Sequence, residues 1–242
     1  MKSFIKIFAL ALLGALLVSS CKKTDNPVTS NTTAHASGTY VGMIAGGTES
    51  GTLSLTVPSS SSFSKSLSEL TIITVTGTLN IGGSPIALTG TYNTANDSLY
   101  VTGGGYTFMG TYSHGTLVGS YTGPNGPGGF STESSSGSDS VKVYLGTATS
   151  QVSGHGGATL NIVVKGSALI GMAVGTDNSK TPFAGTISGD NIHITVTYSG
   201  ISADLATGTF NAGHTSASGT YDTTPFSPHD ADHGTWSVTI AQ

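Results

Sequence analysis

Near the C-terminus, the stretch SPHDADHGTW (Ser227 to Trp236) crowds His229, Asp230, Asp232 and His233 into one loop. Imidazole and carboxylate at this spacing suit a divalent metal. Two imidazoles with a carboxylate fit zinc, while two aspartates fit calcium only with further oxygen ligands. The competing reading is a polar loop leading into the last strand. Other chemistry finds less to work with. Serines and threonines abound, but no G-x-S-x-G elbow is present, and nucleophilic catalysis also needs a base and an orienting acid. The glycine-rich YTGPNGPGGF, Tyr121 to Phe130, lacks the Gly-Lys-Ser/Thr ending of a phosphate loop and reads as a hairpin connection. Glu49, Glu69 and Glu133 read as solvated charges near strand ends rather than as a glycosidase pair. The histidines His35, His114, His155, His193 and His214 fall in the spacer, in turns or on a polar strand face, and are expected in solvent.

The single cysteine, Cys21, follows an apolar run directly. Lys2 and Lys6 precede Ile7 to Val18, and small Ser19 and Ser20 close the run, which describes a secretory signal peptide over residues 1–20. The run is shorter than the roughly 20 residues of a membrane-spanning helix. Leu17, Val18, Ser19, Ser20 and Cys21 resemble the lipobox of bacterial lipoproteins. The resemblance implies that Cys21 is lipidated and becomes the first residue, held in a membrane by more than one acyl chain and therefore stably. Lys22, Lys23 and Asp25 resemble the charged start of many Gram-negative outer-membrane lipoproteins, which implies that address. Residues 21–37 are polar, without hydrophobic periodicity, and are expected to be a flexible spacer.

Composition narrows the partners. Every one of the 8 basic residues is lysine, so bidentate gripping of phosphate by arginine is absent. The formal charge of −4 becomes −6 when Lys2 and Lys6 leave with the signal peptide. Such a chain lacks the electrostatic footprint of a nucleic-acid binder.

The elements that must position any site are strands. In ITVTGTLNI, Ile73, Val75, Gly77, Leu79 and Ile81 alternate with Thr74, Thr76, Thr78 and Asn80, and NIHITVTYSG from Asn191 repeats the pattern. Strict alternation predicts half-buried antiparallel strands, and no stretch of the mature chain has a helical period. Gly-Thr followed by a large apolar residue occurs at Gly38, Gly51, Gly77, Gly90, Gly110, Gly115, Gly185, Gly208, Gly219 and Gly234. Each such glycine falls on the apolar face, where sharply coiled barrel strands need close approach.

The chain also resembles itself. Tyr40-Val41-Gly42 answers Tyr144-Leu145-Gly146, Gly110-Thr111-Tyr112 answers Gly208-Thr209-Phe210, and Gly119-Ser120-Tyr121 answers Gly219-Thr220-Tyr221. This predicts a tandem duplication, residues 38–137 and 138–242, with a linker in Ser131 to Ser140. Each half holds enough strands for a small eight-stranded up-and-down barrel; β-sandwiches or one merged barrel are the alternatives. The short GT-aromatic strands of an eight-stranded meander resemble lipocalin-like and avidin-like barrels. The tryptophans on which avidins depend for biotin reduce here to Trp236. The expected function is a non-catalytic binding or surface-interaction module, tethered to a membrane and taking a small apolar ligand, a glycan or a protein. The rivals are an envelope hydrolase using the His229–His233 loop, and a structural spacer. An open lumen lined by aromatic residues would favour ligand binding.

Overall fold

The computed structural model describes residues 35–46, 49–59, 72–135, 139–198, 201–225 and 231–242. It is all-β among these residues, with sixteen strands in two closed barrels. The first barrel comprises β1 (Gly38–Gly46), β2 (Glu49–Val57), β3 (Ile72–Ile81), β4 (Ser84–Asn93), β5 (Ser98–Gly103), β6 (Tyr106–Ser113), β7 (Thr116–Gly123) and β8 (Gly126–Ser134). The second comprises β9 (Val141–Ser150), β10 (Ala158–Lys165), β11 (Ala168–Gly175), β12 (Lys180–Ser188), β13 (Asn191–Tyr198), β14 (Ile201–Phe210), β15 (Ser216–Asp222) and β16 (His233–Ile240). Each strand pairs antiparallel with the next, and β8 closes on β1 as β16 closes on β9. Sandwiches and a merged barrel are thereby excluded.

The period of two places Val75, Leu79, Leu88 and Tyr92 in the first lumen, while Thr74, Thr76, Thr89 and Thr91 face out. Turn chemistry matches the backbone. Asp97 and His114, and His214 in the second copy, adopt positive φ in tight turns. The duplication is repeated in hydrogen bonds: Tyr112 N–H donates to Asp97 O, and Phe210 N–H to Asp190 O, both at 2.9 Å.

Eight of the ten Gly-Thr glycines face inward against a neighbouring strand. A Cβ on Gly90 would sit 2.5 Å from Val101 Cα. Gly38 and Gly115 differ, with φ of 97° and 90° and open space around them. There glycine serves the backbone turn rather than close approach.

Two other expectations change. Ser131 to Ser134 belong to β8 rather than to a linker, so the connection between barrels is shorter than the serine-rich composition suggested. Residues 35–37, at the end of the expected spacer, pack onto the first barrel. Ala36 is buried and its N–H donates to Tyr92 Oη at 3.1 Å. His35 lies 2.9 Å from Asp97, whose carboxylate also accepts from Tyr92. Burial alone would raise the Asp97 pKa, but these two partners hold it below the usual carboxylate range.

The barrels share a third apolar cluster. Val41, Met43, Val143 and Val163 are buried together on outward faces of β1, β9 and β10. Beside them Asn161 is fully buried and its Oδ1 accepts from Ser50 Oγ, while Lys165 Nζ lies 3.9 Å from Glu133. Each half nevertheless keeps its own closed core. Expressed apart, residues 35–137 and 138–242 should each melt cooperatively, at lower temperature than the joined chain because the seam is laid bare. Aggregation of both fragments would contradict this.

Candidate functional site

The two lumens differ at one end. Strand registers align Gly42 with Gly146, Gly77 with Gly171 and Gly110 with Gly208. Two residues along each strand, the first barrel carries Ile44, Leu79 and Phe108, all fully buried. The second carries Ala148, Ala173 and Ala206 at those places. Truncating a buried Ile, Leu or Phe to Ala typically costs about 2–5 kcal/mol and leaves a void unless the surroundings collapse. In the second barrel they do not collapse.

A cavity of about 520 Å³ opens there, bordered by all three alanines. Its apolar wall includes Leu160, Phe183, Ile194 and Trp236. Trp236 is buried over Gly208, where a Cβ would lie 2.9 Å from its Cη2, and its Nε1–H donates to Thr207 O at 3.2 Å. A register shift between Ile194 and Thr195 leaves Leu205 as an extra residue in β14, and this bulge brings Leu205 to the cavity beside Ala206.

In the first barrel the corresponding space is filled. Tyr106, Phe108, Tyr121 and Phe130 pack ring against ring, with centroids 5.6–6.4 Å apart. Over them Glu49 is 5% exposed, accepting from Tyr106 Oη at 2.5 Å and Asn125 Nδ2 at 2.9 Å. Glu49 is therefore a buried acid in a packed end, not the solvated charge its turn position suggested.

Polar groups line the rim of the second cavity. Asp232 accepts from Ser150 Oγ at 2.5 Å and from Tyr221 Oη at 3.0 Å, and His155 Nδ1 stands 3.8 Å away. Burial and the neighbouring Asp232 push the Tyr221 pKa up to about 12, so its phenol stays a neutral donor. Asp177, Ser179 and Thr176 come from the β11–β12 turn. Ser150 donates directly to the Asp232 carboxylate with no imidazole between them, which is not the serine–histidine–acid order of a nucleophilic triad.

Of the residues expected to hold a metal, Asp232 lies at this rim. His233, the next residue, opens β16 on the outer face across from Asp222. Asp232 is turned toward Ser150 and Tyr221 while His233 is exposed, so these two do not converge. Cys21, His229 and Asp230 lie outside the described residues. No group of three or more His, Cys, Asp or Glu side chains gathers around one point among the described residues. His155, expected in solvent from its glycine turn, instead faces Asp232. At the surface His193 lies 3.1 Å from Asp204, His214 2.8 Å from Asp190, and His114 Nδ1 2.8 Å from Ser113 Oγ.

The cavity was not anticipated from sequence, although the matches between the copies held its signal. Reading two residues past each aligned glycine exposes the replacement of large side chains by alanine. A scan against protein-family models matched none, and a search of curated proteins found no relative.

Proposed function

We propose that this protein is a lipid-anchored envelope protein that binds a small, largely apolar molecule in its second barrel, without catalysis. The observation that carries the reading is the contrast between the copies: one lumen filled by Ile44, Leu79 and Phe108, the other opened by Ala148, Ala173 and Ala206. The cavity volume falls within the roughly 300–1,000 Å³ of small-molecule sites, and its apolar wall with a few rim polar groups has their usual character. The first barrel acts as a packed support, joined to the second through the Val41–Val163 seam.

Trp236 is the only tryptophan, so its fluorescence reports the cavity alone. Titrating the chain from Lys22 to Gln242, which retains every described residue, with the neutral fluorophore N-phenyl-1-naphthylamine should give saturable energy transfer from Trp236 at one probe per chain. Energy transfer that never saturates would reject the binding reading.

The anchor is supported by the lipobox resemblance at Cys21. Cys21→Ser should release the protein from membranes on mild washing. Retention of acyl label by that variant would remove the tether from the account.

A further inference from the structure

We infer that the second-barrel cavity selects a ligand whose apolar body ends in a cation, an organic ammonium. The inference rests on the cavity reading above and adds the chemistry of the ligand's polar end. Three aromatic side chains, Phe183, Tyr221 and Trp236, line the cavity. Among the described residues, two carboxylates, Asp177 and Asp232, stand at its rim, and no lysine does. Lys180, which opens β12 at the same end, points its Nζ instead toward Pro127 O of the first barrel at 3.4 Å. Among the described residues, the only basic side chain at the rim is His155, facing Asp232.

Asp232 is fixed for this role. Ser150 and Tyr221 each donate to a different carboxylate oxygen, which orients the group. Each carboxylate oxygen has more than one acceptor direction, so both still accept from a ligand. Tyr221 supplies a neutral hydrogen bond and does not cancel the charge. An ammonium entering the mouth would meet aromatic rings and fixed negative charge together, a combination that favours organic cations. A carboxylate or phosphate head would meet like charge at the mouth, where Asp177 is exposed, so the repulsion is one that salt reduces.

The test uses decyltrimethylammonium, decanol and decanoate, below their aggregation concentrations, to displace N-phenyl-1-naphthylamine from the chain Lys22 to Gln242. Decyltrimethylammonium should bind at least about tenfold more tightly than decanoate, with decanol between them. Raising ionic strength should narrow the gap, and Asp177→Asn combined with Asp232→Asn should nearly abolish it. Asp177→Asn alone, which spares the Ser150 and Tyr221 hydrogen bonds, should remove part of the gap.

Decanoate binding as tightly as the ammonium would overturn the inference and leave the cavity reading standing. So would an ammonium advantage that persists in the double variant and at high salt, or failure of all three to displace a bound fluorophore. Absence of fluorophore binding would overturn both readings.

Discussion

Gly110→Val should lower the melting temperature of the protein markedly, while Thr111→Val should leave it almost unchanged. Gly110 faces the first lumen, where a Cβ would sit 2.6 Å from Phe130 Cζ and also inside contact distance of the Val118 carbonyl. The Phe130 ring could shift, but the carbonyl belongs to the backbone of the paired strand β7. Relief therefore requires parting β6 from β7 or bending both. Overpacking of a tight core typically costs about 1–3 kcal/mol, and a backbone obstacle places this variant at about 3 kcal/mol or above. For a chain of this size that is a fall of roughly 6–12 °C. Thr111 is exposed on the opposite face, and surface changes usually stay within about 0.5 kcal/mol. Thermal denaturation of the two variants checks the inside–outside assignment, and the reverse ordering would contradict it.

Ala206→Phe should abolish binding of the neutral fluorophore and leave the fold intact or stabilised. It restores to the second barrel the side chain that Phe108 places in the first. Phe108 is fully buried, 5.6 Å from Tyr121 and 5.6 Å from Phe130 by ring centroid. Tyr221 and Trp236 hold the matching positions around Ala206, so a phenyl ring there has aromatic partners waiting. Filling a void of this kind commonly adds about 0.5–2 kcal/mol of stability. Binding and stability should thus move in opposite directions, a pattern that general damage to the protein does not produce. Undiminished fluorophore binding by a folded Ala206→Phe protein would place the probe elsewhere.

The barrels were legible in sequence because each strand states its faces locally. Thr74, Val75, Thr76 and Gly77 alternate within one strand, and the turns at Asp97 and His114 carry residues that tolerate positive φ. The seam between the barrels was less legible, since strands buried on both faces do not alternate. TYVGMIA in β1 and LNIVV in β10 are apolar on both sides for this reason, and Asn161 interrupts the second run only because Ser50 meets it there. The rim was not legible at all. His155 and Asp232 stand 77 positions apart and meet only because the β9–β10 and β15–β16 connections open at the same end. The sequence proximity of His229, Asp230, Asp232 and His233 pointed toward a shared metal; of the two described, Asp232 faces Ser150 and Tyr221 at the rim and His233 is exposed.

The central claim is that the second lumen is a ligand chamber and the first is not. A crystal structure of the chain Lys22 to Gln242 with a bound alkyl ligand such as decanol tests it most directly. The account predicts an alkyl chain passing between Ala148, Ala173 and Ala206 toward the Trp236 ring, with the first lumen closed by Ile44, Leu79 and Phe108. An alkyl chain bound only outside the barrels, or equally in both lumens, would contradict it.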